Sequence, residues 1–529
     1  MEFSDAEARL LERYFTNLDR PVFGLRNLPE VVKGALFSRY SRTEKSLRRV
    51  LLDEFINDPD SGFAGIAGGA QTQDDMVAVR RAEEFYERVL VGYGDDSVAE
   101  LAGAHVALER VSILAAKALE DSRIGISPLE KSTRYVRFDR PGPDGRRLYY
   151  RGEELRHAAY EPAADGLFDA YSGMLEPLTE AIRSRYPIDE GETERAWKSA
   201  TRAKALDLLR GLLPAGTLTN LGLFGNGRAF EYLITKLSAN ELPECEALAT
   251  DLHRELSAVI PAFVKRALDE KYGAPAAERI RRIRAGLKEL VPSQPSPLGG
   301  EGTGPSVKLV GFDPDAERKV VQAALFQYSD EPLEAIDVDA GAVLETLMSD
   351  RANRRQRAPR ALEHAQYKFE IVANFAAYRD LHRHRMLTQE RQLLGTSLGF
   401  DLPSDLEDLG MASRFSAAIE NAAGAHEALR RDLGPALAQY VVPLAFRVRW
   451  YFRVNLREIY HLCELRTTPQ GHQDYRRVAQ EMFRLVSEAQ PRLARFATFV
   501  DMGPGDELER RKSERRIDER LKTLERRVL

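Results

Sequence analysis

Val31–Ser41 reads VVKGALFSRYS, and Val320–Ser329 reads VVQAALFQYS. The same phrase occurs twice in one chain, and two further echoes follow in the same order. Leu213-Pro214 and then Asn226-Gly227-Arg228 are matched by Val442-Pro443 and then Asn455-Leu456-Arg457 at the same internal spacing. Ordered self-similarity over a long period is the signature of a repeated unit, so the chain reads as a duplicated domain.

The boundary between the copies is visible in composition. Val291–Ser306, VPSQPSPLGGEGTGPS, crowds Pro, Gly and Ser with no apolar period, as a linker does. The expected organisation is a first domain at 1–290, a linker at 291–306, a second domain at 307–505 and a charged C-terminal helix at 506–529. Each half is domain sized. Apolar residues recur every three or four positions in Glu84–Leu90, Leu101–Leu119, Ala163–Arg185, Glu244–Lys271, Ala365–Leu381 and Gln473–Phe499, which predicts helices. Strand-like runs are short, at Leu148–Arg151 and Val307–Phe312, and PGPDGRR between Phe138 and Tyr149 predicts a hairpin turn. Regular alternation of strand and helix is absent. The expected class is therefore α+β, two tandem helix-rich domains, rather than a doubly wound sheet. In the C-terminal segment Ile517, Leu521, Leu524 and Val528 form one stripe, predicting a solvated helix with a single packing seam.

Composition narrows the function. The 529 residues are 30% charged and 43% hydrophobic, with 77 Lys and Arg against 82 Asp and Glu. A net charge of −5 supplies no whole-protein basic field for nucleic acid. Runs of about 18 apolar residues are absent, and the start MEFSDAEARLLERYF is acidic and amphipathic rather than a signal peptide, so the expectation is a cytoplasmic protein with no membrane partner. Cys245 and Cys463 are far apart, which excludes a disulfide framework and a cysteine-based zinc site. P-loop, GxGxxG and HExxH patterns are all missing, and the nine His residues show no ligand spacing outside one basic cluster.

That cluster is Arg379-Asp380-Leu381-His382-Arg383-His384-Arg385. Cations so dense repel one another unless an anion lies close, and the planar Arg fork suits phosphate oxygens, so a phosphate or pyrophosphate clamp is one reading. A solvated basic helix end, favourable against the helix dipole, is the other. In the first half, Ser127-Pro128-Leu129-Glu130-Lys131-Ser132-Thr133-Arg134-Tyr135 packs hydroxyls, a carboxylate, a guanidinium and a phenol into one short stretch. A capping box accounts for Ser127 and Glu130 but leaves Ser132 and Arg134 without a task.

These residues resemble the flavin-dependent thymidylate synthase family, whose signature is RHRxxSxxExSxRY followed by NxR and LRxxxxAQ. The match is divided between the halves. Ser127, Glu130, Ser132, Arg134 and Tyr135 are in register with SxxExSxRY, while Ser122-Arg123-Ile124 stands where the family has RHR. Arg383-His384-Arg385 is an intact RHR, but it is followed by Thr388, Arg391, Leu393 and Gly395 at the nucleotide-facing positions. Asn226 and Arg228, and again Asn455 and Arg457, match NxR. Arg466 matches the Arg of LRxxxxAQ, although Gly471-His472 replace AQ, and Lys236-Leu237 stand at the equivalent place in the first half. Arg210 sits where the family has a substrate-phosphate Arg, against Gln439 in the second half. GYGDDSVAEL at Gly92–Leu101 and LEH at Leu362–His364 are also family-like.

The resemblance implies FAD and dUMP bound where subunits of a tetramer meet, so that a tandem fusion needs only a homodimer to rebuild four domains. It implies methylation of dUMP at C5 to dTMP, with methylenetetrahydrofolate as carbon donor and reduced flavin, recharged by NADPH, as hydride source. Complementary loss then makes a composite pocket: Ser132, Arg134, Arg466 and Arg210 on the nucleotide, with the first three catalytic, and Arg383, His384, Arg385, Asn455 and Arg457 on the flavin. Glu130 is assigned to the flavin set, with the nucleotide as its other option. Two alternatives stay open: a duplicated relative that binds flavin or nucleotide without turnover, and a flavoenzyme acting on another pyrimidine.

Overall fold

A computed structural model describes residues 3–41, 43–57, 100–291, 305–508 and 510–528. The helix expected at Glu84–Leu90, most of GYGDDSVAEL and most of the linker lie outside the described residues. Among the described residues seven strands occur: β1 (Gly103–Ser112), β2 (Ile126–Glu130), β3 (Leu218–Asn226), β4 (Ser306–Phe312), β5 (Gln366–Asn374), β6 (Leu387–Arg391) and β7 (Arg447–Asn455). They form two sheets, of order β1-β3-β2 and β4-β5-β7-β6. With β4 set aside, the second order repeats the first. Register agrees too: β2 pairs antiparallel with β3 from Ile126↔Gly225 to Glu130↔Leu221, and β6 with β7 from Leu387↔Val454 to Arg391↔Trp450. Arg391 therefore occupies the place of Glu130, as the sequence alignment of the halves requires. The mixture of helices with small antiparallel sheets is the α+β architecture that the sequence predicts.

The chain divides into two compact units, one of Met1–Glu109, Ala115–Glu130 and Asn220–Gln294, the other of Arg110–Leu114, Lys131–Thr219 and Pro295–Leu529. One boundary, between Gln294 and Pro295, falls within the linker, but others lie inside the first half of the sequence. Residues 131–219, from the first half of the sequence, belong to the second unit.

In the first unit the helix Gly227–Ser238 follows β3, with Asn226 Oδ1 accepting from Ala229 N at 2.8 Å as its N-cap. Phe230, Leu233, Ile234 and Leu237 on this helix are buried, as are Leu252 and Leu256 on the following helix Pro243–Ser257. Buried Lys117 bonds Glu130 at 3.1 Å and also Glu120, so each carboxylate offsets part of the cost of the buried ammonium.

In the second unit β7 buries Val448, Trp450, Phe452 and Val454 on one face, and Trp450 meets Tyr378 edge-on at 5.3 Å. The helix Tyr160–Arg185 packs against Glu194–Leu209 and Ala412–Asp432. The Leu-Pro and Val-Pro echoes meet each other. Ala215 N donates to Val442 O and Leu444 N to Leu213 O; Gly216 N donates to Tyr440 O and Ala445 N to Gly211 O. Each bond is the mirror of another under exchange of the two copies, so the loops pair about a local pseudo-twofold axis inside one chain.

Several boundaries differ from the periodicity reading. Leu101–Leu119 and Ala365–Leu381 are each a strand followed by a helix, Ile113–Glu120 and Phe375–Leu381. In the first case Ala104, Leu108 and Val111 mimic helical spacing because Arg110, at φ 59°, shifts the strand's alternation by one residue. Glu244–Lys271 and Gln473–Phe499 break at Pro261 and Pro491, each of which opens a new short helix. PGPDGRR turns through Gly142 N to Arg146 O, but Tyr149 makes only an isolated bridge to Thr217. In the C-terminal helix Arg511–Val528 the seam is ionic where a stripe of Ile and Leu was expected. Glu514 and Asp518 are buried against Arg195, while Ile517 and Leu521 are exposed.

Candidate functional site: an arginine-lined cavity

Four pieces of chain bring cationic side chains together in the second unit. The turn after β2 carries Ser132 and Arg134, tightened by Arg134 N donating to Ser132 Oγ at 3.2 Å. Arg210 opens the 3₁₀ turn Arg210–Leu212 that ends the helix Glu194–Leu209. The helix Phe375–Leu381, capped by Asn374 Oδ1 at 2.8 Å from Ala377 N, delivers Arg379 and Asp380 and then Arg383. Arg466 is the last residue of the helix Leu456–Arg466, and Tyr475 lies in the first turn of Gln473–Ala489.

These residues surround a cavity of about 200 Å³ lined by Ser132, Thr133, Arg134, Tyr135, Arg210, Ala376, Arg379, Asp380, Arg383, Arg466 and Tyr475. Five guanidinium groups face one lining carboxylate. Arg134 is held in a fork by Asp207, with Nε to Oδ1 at 2.8 Å and Nη2 to Oδ2 at 2.7 Å, while its Nη1 donates to Tyr475 Oη at 3.2 Å. Arg210 Nη1 donates to Asp380 Oδ2 at 3.0 Å, but its Nε and Nη2 are buried without a hydrogen-bond partner among the described residues. Burial works against the Asp380 carboxylate, yet Arg210, Arg383, Arg134 and Arg466 together hold it well below the usual carboxylate range. Burial, and then the proximity of Arg383 and Arg134, pulls Arg466 below the usual arginine range despite Asp380. Burial raises the Tyr475 phenol, which therefore keeps its proton as a donor. A dianion entering here meets preformed donors whose mutual repulsion it relieves.

Of the sequence candidates, Ser132, Arg134, Arg210, Arg383 and Arg466 converge on this cavity. Arg385 is exposed beside it in sequence and does not line it. His384 is buried, with Nε2 accepting from Arg466 Nε at 2.9 Å and Nδ1 2.7 Å from Glu458 Oε1. Asn455 caps the helix Leu456–Arg466 through Glu458 N at 2.9 Å, and Arg457 reaches Ala358 O at 2.7 Å and Glu363 Oε1 at 3.0 Å. Glu130 lies in the first unit, paired to Lys117. At the position equivalent to Arg210, Gln439 Oε1 accepts from Leu394 N and Arg391 Nη1, at 2.9 and 3.2 Å, so the second copy replaces a cation by an internal hydrogen-bond hub.

Asp207 and Tyr475 were not singled out in the sequence. Asp207 had a legible signal, since it interrupts the apolar run Ala205–Leu209, where a buried acid demands a cationic partner. Tyr475 had none.

The thymidylate synthase complementing protein family matches this chain twice, over residues 55–262 and 308–492. The chain belongs to that family, with two copies in tandem. The UPF0159 protein of Chlamydia muridarum is 44% identical over 521 residues, covering 96% of this chain and 97% of the relative. The flavin-dependent thymidylate synthase of Geobacter sulfurreducens is 31% identical over 213 residues, which is 38% of this chain and 87% of the relative. Among solved structures, the UMP/dUMP methylase PolB from Streptomyces cacaoi bound with 5-Br dUMP is 20% identical, covers 37% of this chain and 96% of its own, and has a TM-score of 0.33. Among the described residues no helix is long and apolar enough to cross a membrane.

Proposed function

We propose that this chain is a flavin-dependent enzyme that methylates dUMP at C5 to dTMP, using methylenetetrahydrofolate and NADPH, and that the arginine-lined cavity receives the nucleotide's phosphate end. The observation that carries this reading is the convergence of five arginines on one cavity, with Arg210 Nε and Nη2 buried and without acceptors among the described residues. A volume of about 200 Å³ is smaller than the roughly 300–1,000 Å³ of whole-ligand pockets. It suits the anionic end of a nucleotide, with the base directed outward.

Arg210, Arg134 and Arg466 bind and orient the phosphate, and Ser132 and Tyr475 add hydroxyl donors. Arg134 and Arg466 also supply positive potential for charge that develops on the uracil ring when it is attacked. Arg383 and Arg385, exposed on either side of buried His384, have the chemistry to hold a flavin diphosphate. The flavin, when bound, supplies the hydride. Since Ser132, Arg134 and Arg210 come from the first copy and Arg383 and Arg466 from the second, the site is composite and occurs once per chain. The assembly is a homodimer presenting four family copies in the cytoplasm; light scattering at twice the chain mass supports this, and a monomer mass overturns it.

One observation favours a second reading, a nucleotide-binding homologue without turnover: His384 of the RHR triplet is withdrawn from the surface and engaged at both nitrogens. Calorimetric titration with dUMP and with deoxyuridine tests what both readings share. Each charge-assisted bond to the phosphate contributes about 1.5–3 kcal/mol, so two of them make dUMP at least about a hundredfold tighter than deoxyuridine. Equal affinities would refute phosphate recognition by the cavity. Turnover with reduced flavin and methylenetetrahydrofolate separates the two readings.

A further inference from the structure

We infer that His384 is a positioning residue, a neutral hydrogen-bond acceptor that fixes the Arg466 guanidinium at the cavity, and that Glu458 holds His384 in the tautomer that makes this possible. The inference deepens the reading of the cavity as a phosphate site. Arg466 Nε carries a hydrogen and can only donate, so His384 Nε2, 2.9 Å away, must present its lone pair. The single proton of the neutral ring is then on Nδ1, where Glu458 Oε1 at 2.7 Å accepts it. A protonated ring would set an N–H against the Arg466 N–H and break the chain of bonds.

The surroundings agree. His384 faces Arg466, Glu458 and His461, whose ring lies 5.4 Å away edge-on; burial raises Glu458, and His461, Arg457, Arg357 and Arg466 work in favour of its carboxylate form. Burial, then Arg466 and His461, hold His384 well below the usual histidine range. His384, Glu458 and His461 also have the spacing of a metal-binding group. The Arg466 bond speaks against that use, since a metal on Nδ1 requires a proton on Nε2, where Arg466 already donates. The arrangement removes one rotational freedom from Arg466 and leaves its Nη groups to the cavity.

Two experiments test this. In protein carrying ¹⁵N-labelled histidine, His384, assigned by its loss in His384→Gln, is expected as the Nδ1–H tautomer with unprotonated Nε2 between about pH 6 and 8; an Nε2–H or doubly protonated ring overturns the inference whether or not any nucleotide binds. In dUMP titrations His384→Leu is expected to weaken binding about tenfold, His384→Gln to recover it through its amide oxygen, and His384→Leu combined with Arg466→Ala to be no weaker than Arg466→Ala alone. Additive losses in the double variant, or His384→Leu binding dUMP like the parent while Arg466→Ala does not, overturn the positioning role and leave the phosphate site standing.

Discussion

Arg134→Ala is expected to destabilise the second unit by about 3–5 kcal/mol, because it strands the Asp207 carboxylate in the interior. Both partners are buried, and the fork between them uses two parallel bonds. The denaturant midpoint of this variant should fall well below that of the parent. Replacing both residues by apolar side chains, Arg134→Met with Asp207→Leu, should restore most of the stability, since a buried ion pair and its apolar isostere are often near equal. The double variant should nevertheless fail to bind dUMP tightly, which separates folding from recognition. If Arg134→Ala proves as stable as the parent, the pair is not buried as described. Acid gives the same contact a second readout. Burial opposes ionisation of Asp207, but Arg134 outweighs it and the carboxyl lies below its usual range. A depressed carboxylate contributes stability above its unfolded value of about 3.9 and loses it as pH falls through the lower folded value. Stability from this pair should therefore be flat from about pH 5 to 8 and decline only below about pH 4.

Arg210→Ala should weaken dUMP binding by about ten- to a hundredfold while leaving deoxyuridine binding unchanged, since a charged donor contributes roughly 1.5–3 kcal/mol. Arg210→Lys should recover only part of the loss, because a point charge cannot reproduce two buried N–H donors in one plane. Asp380 stays compensated in the variant by Arg383, Arg134 and Arg466, so folding is affected less than by Arg134→Ala. Deoxyuridine weakening in parallel with dUMP would place Arg210 at the base instead of the phosphate.

Much of this was legible in the sequence for a physical reason. Duplication leaves order and spacing intact, and the echoes at Leu213-Pro214 and Val442-Pro443 turned out to be loops that bond to each other. The basic cluster Arg379–Arg385 stood out because cations so dense repel one another without an anion, whereas Arg210 and Arg466 were reached only through the family resemblance. Elements failed where one periodicity imitated another, as in β1, where left-handed Arg110 displaced the alternation. The tasks of Asn455, a helix cap, and of Arg457, a strap on the 358–363 turn, were hidden because a motif letter records neither a backbone partner nor burial. The same holds for His384. Its place in an RHR triplet suggested a ligand contact, whereas its depth and its two neighbours give it an internal one.

In the proposed function, one arginine-lined cavity per chain, a composite site assembled from both copies, takes a pyrimidine nucleotide beside a flavin. The most direct test is to load the purified protein with FAD and titrate dUMP while recording the visible flavin band, in the parent and in Arg210→Ala. The composite site requires that the parent retain flavin, that its band shift and saturate at one dUMP per chain, and that the shift in Arg210→Ala need at least about tenfold more dUMP. A protein that takes up no FAD, or whose flavin band ignores dUMP in the parent, would contradict it.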